Sequence, residues 1–386
     1  MKQLPEERKQ QIKESLIATR ERRKSQSIKV IELKVNCHHT SKETFAKMRE
    51  CFKQAKWVTN DIIASDDIMK YYYKEHREVQ RKDRDGNFIE ESLDLPVLLH
   101  RGIVQQVKTD ICNLSKAKNK GIRIGRLRFK SEVNSIPIIT GGIKIKDRTH
   151  ITIPGFKNLK VYGLDQLSRY SNYEIADGKF VQKPSGFYVK VSVCIEKNSV
   201  QTPSNRIVGL DFGIKDNIVT SDGEKFNCNV QESEQLKFLQ KQLHRKQKGS
   251  KRYYRLRNQI QREYEHLSNI KTDCSNKILA YLFKTYDVIY FQDEQISKWR
   301  KVKKSKKRRK VFSFGRQIQS SCLGRIKAKL ALSPKGYMIS KWMPTTKFCP
   351  NCGNLNTLTL ADRTYSCECG YSCDRDIHSA RNVKLF

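Results

Sequence analysis

Five cysteines close to the C-terminus have the spacing of a metal site. Cys349 and Cys352 form a C-x-x-C pair, and Cys367 and Cys369 form a tighter C-x-C pair. Four thiolates in two such pairs are typical of a tetrahedral structural zinc site, which leaves no open position for water. We predict that these four residues bind one structural Zn²⁺. Cys373 is a fifth thiol that could replace one of them, and a reduced, metal-free cluster is the alternative.

Acidic residues stand at three points where the predicted secondary structure changes. Asp211 and Glu294 each end an apolar strand, and Asp374 and Asp376 open the last helix. Converging carboxylates can hold two Mg²⁺ ions about 3.5–4 Å apart, which activate water and stabilise the leaving oxygen in phosphodiester cleavage. Oxygen ligands select Mg²⁺ rather than the zinc that thiolates select. Taken alone, each acid could instead be a turn residue or, at Asp374, a helix cap.

The charge of the chain indicates a polyanionic partner. The 386 residues include 77 Lys and Arg against 40 Asp and Glu, a net charge of +37. This balance favours nucleic-acid binding over the alternative of a merely basic, soluble protein. Basic side chains are concentrated in residues 116–130, 237–257 and 298–310, where they could contact phosphates rather than bases, or be solvated surface. We expect 298–310 to be a mobile loop, because it is too charged to pack.

Two further features bear on location. No run approaches the roughly 18 apolar residues of a membrane helix, and the charged N-terminus lacks the apolar core of a signal peptide. We therefore expect a cytosolic protein. In a reducing compartment, the scattered cysteines are expected to be buried small hydrophobic residues. They are Cys37, Cys51, Cys112, Cys194, Cys228, Cys274 and Cys322.

The N-terminal half combines helices with many short strands. Residues 5–25 are predicted as a polar helix and 27–36 as a strand, and apolar spacings of three and four predict helices at 42–80 and 95–118. From about 121 to 200 the apolar period is two, which predicts a small β-barrel or sandwich with the helices inserted after its first strand. Its predicted strands are 123–129, 138–140, 150–153, 159–162 and 187–195.

The C-terminal half has the pattern of an α/β domain. A buried strand at 207–213 is followed by a short meander, two long helices within 232–285 and a second buried strand at 287–292. A helix at 315–332 and a strand at 336–343 then lead to the cysteines. Ligands bind at strand ends in mixed α/β sheets. We therefore expect the acids that end these strands to converge there.

These segments resemble the motifs of the TnpB (OrfB) nucleases that insertion sequences encode. The resemblance is specific over about residues 206–386 and loose over 27–205. The matching segments correspond to the first and second RuvC-like motifs, a helix, the segment before a zinc knuckle, the knuckle itself and the third motif. Besides the cysteine pairs, the matching segments are 208–215 with 220–223, 288–294, 319–325, 344–347, 374–376 and 379–382.

The resemblance implies an RNA-guided DNA endonuclease of a transposon, with a guide RNA and a target DNA as partners and no membrane partner. It implies a multidomain α+β fold, in which a RuvC-like, RNase H-like nuclease domain cleaves DNA with two Mg²⁺. By motif matching, the nuclease acids are Asp211, Glu294 and Asp376. Asp376 is preferred over Asp374 because one residue separates it from the family's Asn-Ala-Ala-like run. His378 replaces the usual Asn of that run without removing a metal ligand.

The resemblance also implies a domain order and a location in the prokaryotic cytosol, beside the nucleoid. The implied parts are a charged helical arm at 1–26, a β-barrel wedge domain at 27–40 and 119–205, a helical recognition insert at 41–118, and a nuclease domain at 206–386 that includes the zinc knuckle at 344–373.

Three other functions stay open. A compact type V CRISPR effector shares the nuclease domain and differs in its neighbouring genes. A guide-dependent DNA-binding repressor without cleavage should have lost an acid, and all three are present. A strand-transferring transposase is expected to present two histidines on one strand face, whereas the adjacent His38 and His39 would point to opposite faces of a strand. The guide RNA, the target-adjacent DNA motif and the choice between monomer and homodimer also stay open.

Overall fold

The computed structural model describes the chain in five stretches. They are residues 5–82, 87–196, 205–300, 314–359 and 362–386. Two units can be distinguished within the chain, residues 1–199 and 200–386. None of the helices in the described stretches is long and apolar enough to cross a membrane.

The first unit begins with a helix and a strand and ends in a long hairpin. Its helices and strands are α1 (Glu6–Lys24), β1 (Gln26–Val35), α2 (Lys42–Ala64), β2 (Glu78–Lys82), β3 (Phe88–Ser92), α3 (Val97–Asn119), β4 (Ser135–Ile138), β5 (Lys144–Ile145), β6 (His150–Ile153), β7 (Phe156–Tyr162), β8 (Tyr173–Lys183) and β9 (Gly186–Glu196).

Seven of these strands form one sheet around β1. Their order is β4-β8-β9-β1-β7-β6-β5, and β1 runs antiparallel to both β9 and β7. Helices α2 and α3 are inserted between β1 and the remaining strands, as the sequence predicts. The ring of Phe52 on α2 packs 4.9 Å from that of Phe180 and 5.8 Å from that of Phe187, so that α2 covers the centre of the sheet. Among the described pairings β4 and β5 are end strands, so the predicted barrel is not seen closed.

Two predictions for this unit are wrong, and one long strand was not predicted. The helix predicted to reach residue 80 ends at Ala64, and 78–92 instead contains the β2–β3 hairpin, in which Arg81 pairs with Glu91 at 2.5 Å. The strand predicted at 123–129 is not formed, because no neighbouring strand covers its apolar residues and Phe129 stays 66% exposed. Strand β8 was not predicted, since charged and glycine residues interrupt its alternation.

The second unit alternates strands with helices and ends in a hairpin and a helix. Its elements are β10 (Ile207–Phe212), β11 (Ile218–Thr220), β12 (Lys225–Phe226), α4 (Glu234–His244), α5 (Lys251–Thr285), β13 (Val288–Gln292), α6 (Gly315–Ser320), α7 (Leu323–Ala331), β14 (Gly336–Ile339), β15 (Thr364–Ser366), β16 (Ser372–Asp374) and α8 (Arg375–Leu385).

A mixed five-stranded sheet is the centre of this unit. Its order is β12-β11-β10-β13-β14, with β10, β13 and β14 parallel and the first two strands antiparallel. The helix predicted at 315–332 is divided into α6 and α7, and the strand predicted at 336–343 ends at Ile339. The basic segment predicted as a mobile loop lies outside the described residues from 301 onward. The coarse prediction of a mixed α and β protein is confirmed.

Two cysteines of this unit form a disulfide bond. The sequence had predicted only buried, small hydrophobic cysteines, so this bond was not predicted. Cys228, after β12, and Cys322, before α7, form a disulfide across 94 residues of sequence. Cys274 on α5 lies in the same cluster. Both bonded residues are buried in the core of the unit. Of the other scattered cysteines, Cys37 and Cys112 are exposed rather than buried.

Helix α8 approaches β10 backbone to backbone at Gly209. A Cβ at this position would lie 2.0 Å from the carbonyl oxygen of Ala380 and 2.8 Å from the backbone nitrogen of Lys384. No side chain larger than hydrogen fits between strand and helix at this point. The contact therefore sets how close the first turn of α8 comes to the end of β10.

We predict that Gly209→Ala destabilises the protein by about 1–3 kcal/mol, because the added methyl group meets backbone that must move. The measurement is urea unfolding followed by circular dichroism. Gly324→Ala is the matched control: its Cβ would meet nothing within 4 Å on α7, where alanine favours the helix over glycine. Equal unfolding midpoints for the two variants would contradict the account of this contact.

Candidate functional site

The three predicted acids lie near the carboxyl ends of neighbouring strands. Asp211 is the next-to-last residue of β10, and Glu294 follows β13 by two residues. Because Leu210 pairs in parallel with Phe291, both strands end at the same edge of the sheet. Asp376 lies in the first turn of α8. Three segments that are far apart in sequence thus bring their carboxylates toward one edge.

Helix α8 places a hydroxyl group directly on Asp211. Asp211 is two residues after Gly209 and so faces the same side of the sheet, the side that α8 covers. The Ser379 hydroxyl donates a hydrogen bond of 2.9 Å to Asp211 Oδ1. Ser379 was not among the predicted site residues. Its position three residues after Asp376, on the same helix face, was the available signal.

The charges of the three acids act on one another at Asp211. Burial of its carboxyl group raises the pKa of Asp211 to about 7. The hydrogen bond from Ser379 acts in the opposite direction and lowers this pKa. The carboxylates of Asp376 and Glu294 raise that pKa further. Burial also raises the pKa of Glu294. A cation at this edge would favour the ionised carboxylates, because an opposite charge offsets both burial and mutual repulsion.

The separation of these acids is larger than that of a closed ligand set. Among the described residues, ligand atoms of three or more His, Cys, Asp or Glu side chains gather within 4.8 Å of one another only at two cysteine clusters. The ligand oxygens of the three carboxylates are therefore not all within 4.8 Å of one another.

The structure distinguishes Asp376 from Asp374. The Asp374 carboxylate caps α8 by accepting hydrogen bonds from the backbone N–H groups of Asp376, at 3.0 Å, and of Ile377, at 3.2 Å. It also lies 3.6 Å from the ammonium group of Lys225. Asp374 thus has the capping role that its position allowed. The acidic charge that acts on Asp211 from this helix is that of Asp376, and the positive charge of Arg375 opposes it.

A similar distinction holds for Asp293 and Glu294. Lys327 Nζ lies 2.5 Å from Asp293 Oδ1 and donates a 2.7 Å hydrogen bond to the backbone carbonyl of Glu294. This ion pair lowers the pKa of Asp293. Within the described part of the chain, no ion pair of 4 Å or less involves the Glu294 carboxylate. The carboxylate of Glu294 is the one left for another cation.

Buried polar side chains connect the segment after β14 to this edge. The Gln292 amide donates to the backbone carbonyls of Ser340, at 3.2 Å, and Met343, at 2.9 Å. The Thr345 hydroxyl donates to Gln292 Oε1 at 3.3 Å and lies 3.3 Å from the Ser379 hydroxyl. Both Gln292 and Thr345 are buried. Neither residue was predicted as part of the site. Gln292 lies two residues before Glu294, and the alternation of side chains along β13 was the available signal for it.

The four predicted cysteines form one cluster. Their sulfur atoms all lie within 4.8 Å of one another, with Cys349 Sγ 3.6 Å from Cys369 Sγ and Cys352 Sγ 3.5 Å from Cys367 Sγ. A tetrahedron with metal–sulfur bonds of about 2.3 Å has sulfur–sulfur edges of about 3.8 Å. The arrangement can therefore hold a tetrahedral metal ion. The backbone N–H of Cys369 lowers the pKa of Cys367 to about 6, which favours its thiolate.

The fifth thiol and the neighbouring aromatic residues have other contacts. Cys373 lies outside the four-sulfur cluster and accepts a 3.6 Å hydrogen bond from Arg381 Nη1. The buried ring of His378 stacks on Tyr365 of β15, with centroids 3.7 Å apart. Burial lowers the pKa of His378 to about 4. Asn382 donates to the carbonyls of Thr345 and Phe348. Helix α8 is thus packed against β15 and against the segment that precedes Cys349.

The two adjacent histidines lie far from these features in sequence. His38 and His39 belong to a short 3₁₀ helix, Cys37–His39, and not to a strand. The reasoning about opposite strand faces therefore does not apply to them.

Two family models match the chain. The OrfB_IS605 model, described as "Probable transposase", matches residues 190–303. The "Cas12f1-like, TNB domain" model matches residues 325–383, which include the cysteine cluster and most of α8. Together they cover the three acids, Ser379 and the four cysteines.

Curated relatives carry related names. A Streptomyces pristinaespiralis protein named "Putative RNA-guided DNA endonuclease" is 26% identical over 203 residues, which are 50% of this chain and 48% of that protein. Escherichia coli (strain K12) "Putative RNA-guided DNA endonuclease InsQ" is 27% identical over 220 residues, 51% of this chain and 53% of that protein. The chain thus spans about half the length of these curated relatives.

Solved structures give a weaker likeness. A chain of the "Cryo-EM structure of the Cas12f1-sgRNA-target DNA complex" is 13% identical, with a TM-score of 0.26 over 93% of this chain and 99% of that one. At a TM-score this low the likeness carries no argument about the present chain. The family models and the curated relatives confirm the resemblance that the motifs predicted, over residues 190–303 and 325–383.

Proposed function

We propose that this protein is an RNA-guided DNA endonuclease of a transposon. The observation that carries the proposal is the convergence of Asp211, Glu294 and Asp376 at one sheet edge, where mutual repulsion and burial raise the pKa of Asp211 to about 7. Such a site is costly for folding, which is typical of a functional cluster rather than a structural one. The names of the curated relatives support the same reaction.

The acids are proposed to hold two Mg²⁺ ions. Carboxylate oxygens suit Mg²⁺, and the Asp211 carboxylate is one that a cation would convert fully to its ionised form. When bound, the ions would activate water and stabilise the leaving oxygen in phosphodiester hydrolysis. Ser379 would orient the Asp211 carboxylate through its hydrogen bond. Lys327 would keep Asp293 neutralised and leave Glu294 for the metal.

The cysteine cluster is proposed to hold one structural Zn²⁺. Four thiolates at tetrahedral spacing match zinc and exclude a catalytic role, because no open position is left. The contacts of His378 with Tyr365 and of Asn382 with the segment before Cys349 make this knuckle the support of α8. Zinc would then act on the reaction by holding the helix that carries Asp376.

The partners are proposed to be a guide RNA and a target DNA. Support comes from the net charge of +37 and from residues 237–257, where α4 ends and α5 begins with a series of Lys and Arg side chains. We assign the sheet of the first unit to a wedge domain, its helices α2 and α3 to a recognition insert, α1 to a charged arm, and residues 206–386 to an RNase H-like nuclease domain. Action in the prokaryotic cytosol, as a monomer or a homodimer, belongs to this proposal.

A compact type V CRISPR effector is the second candidate. The match of residues 325–383 to a Cas12f1-like domain favours it. A CRISPR array beside the gene would support this candidate, and a transposon end would support the first. A repressor without cleavage is disfavoured because all three acids are present.

We predict that Asp376→Asn abolishes DNA cleavage, whereas Asp374→Asn retains it. The first change removes a metal ligand, and the second keeps the helix cap, because asparagine caps as well as aspartate. Asp211→Asn should behave like Asp376→Asn while RNA and DNA binding persist. Cleavage is measured with Mg²⁺ and binding in Mg²⁺-free buffer without a chelator. Loss of cleavage in Asp374→Asn with full activity in Asp376→Asn would exchange the two assignments and contradict ours.

Removal of a cysteine ligand should release zinc. Cys349→Ser and Cys352→Ser are expected to lower the zinc content of the purified protein below one ion per chain and to lower its melting temperature, because structural zinc is coupled to folding. Cys373→Ser is the matched control and should keep the zinc. Elemental analysis decides the outcome, and a wild-type protein that contains no zinc would refute the assignment.

Guide dependence can be tested on a plasmid. RNA-free protein should not cut it, and protein reconstituted with its co-purified RNA should cut at a site that matches the variable end of that RNA, since pairing supplies the specificity. The RNA is identified by sequencing. Site-independent cutting that is equal with and without RNA would leave a non-specific metal nuclease in place of the proposed function.

A further inference from the structure

One tryptophan is exposed beside the candidate site. The side chain of Trp342 is 82% exposed, more than any other large aromatic side chain of the described residues. By contrast, Trp57 is buried and Trp299 packs against the core of the second unit. A large aromatic ring in water is costly, because roughly 25 cal/mol is lost for each Å² of apolar surface left uncovered. The exposure of Trp342 therefore needs a reason.

The turn that carries Trp342 is held firmly. The backbone N–H of Trp342 donates a hydrogen bond of 3.3 Å to Ser340 Oγ. The buried Gln292 amide binds the carbonyl on either side of the turn, at Ser340 and Met343. The ring is therefore presented by an anchored segment, and the anchor is a side chain of the central sheet.

The same anchor connects the turn to the acids. Gln292 Oε1 accepts from Thr345, whose hydroxyl lies 3.3 Å from that of Ser379, and Ser379 binds Asp211. Gln292 also precedes Glu294 by two residues. The turn that carries Trp342 is thus joined to Asp211 by a continuous chain of hydrogen bonds.

The chemistry around the ring suits an unpaired base. Lys341 Nζ lies 4.6 Å from the centroid of the Trp342 ring. An exposed aromatic face next to a cation is the combination by which proteins bind single strands, since the ring stacks on a base and the ammonium group binds a phosphate. Bases inside a duplex have no free face to offer. The apolar side chains of Met338 and Met343, 53% and 40% exposed, extend the same surface.

We propose that Trp342 and Lys341 form a stacking platform for an unpaired base of the single strand that enters the carboxylate site. The proposal rests on the proposed nuclease function for the identity of that strand. It adds a substrate-binding residue outside the acids, and it predicts that the strand is already unpaired when it reaches them.

The test uses the intrinsic fluorescence of the full-length protein in Mg²⁺-free buffer without a chelator, so that no cleavage occurs and the zinc stays bound. A short single-stranded oligonucleotide should quench the emission of Trp342, and a blunt duplex of the same sequence should not. Trp342→Phe should lose the quenching and keep binding, because phenylalanine retains a ring. Trp342→Ala should weaken single-strand binding by roughly five-fold or more, the range of base–aromatic stacking. Leu332→Ala, which removes an 86% exposed side chain without a ring, is the matched control and should bind as wild type.

Three results would overturn the platform. They are quenching that is unchanged in Trp342→Phe, quenching that is equal for duplex and single strand, and binding by Trp342→Ala that equals wild type. A concentration-dependent blue shift of Trp342 emission without nucleic acid would assign the surface to a second copy of the chain and would also overturn it. Because these readouts need no cleavage, they stay separate from the test of the nuclease. An inactive protein that still shows the quenching would reject the nuclease alone.

Discussion

Helix α8 lies on β10 with no side chain between them at Gly209, and the rest of the candidate site depends on this contact. The carbonyl of Ala380 occupies the space that a Cβ would fill. Ser379, directly before Ala380, and Asp376, one turn earlier, are thereby brought to the carboxylate of Asp211. If α8 lay one side-chain layer farther from β10, Asp376 would not come close to Asp211 and Glu294.

Residues of the cysteine knuckle also contact helix α8, through other side chains of the helix. His378 is stacked on Tyr365, and Asn382 is bound to the carbonyls of Thr345 and Phe348. A metal ion in the cysteine cluster would hold these partners in place without touching substrate. The proposed structural metal would thus support the helix that carries the third acid of the proposed catalytic site.

Local patterns in the sequence predicted the parts that local physics determines. Apolar runs predicted β10 and β13, paired spacing predicted the four cysteines, and the start of the last helix offered a cap at Asp374 as an alternative. Long-range contacts were beyond such patterns. The disulfide between Cys228 and Cys322 joins residues 94 apart, and the bond from Ser379 to Asp211 spans 168 positions. The missing strand at 123–129 shows the same limit, because alternation forms a strand only where a partner strand exists.

The central claim is that Asp211 belongs to a cation site rather than to the folding core. Its pKa is raised from 3.8 to about 7, so the folded state is favoured while the carboxyl is protonated and loses stability as pH rises through that range. The most direct measurement is the melting temperature at pH 8 of wild type and Asp211→Asn, in Mg²⁺-free buffer without a chelator and with added Mg²⁺. We expect the variant to melt higher than wild type without Mg²⁺, and Mg²⁺ to stabilise wild type but not the variant. A variant that melts lower without Mg²⁺, or that responds to Mg²⁺ as wild type does, would contradict the account.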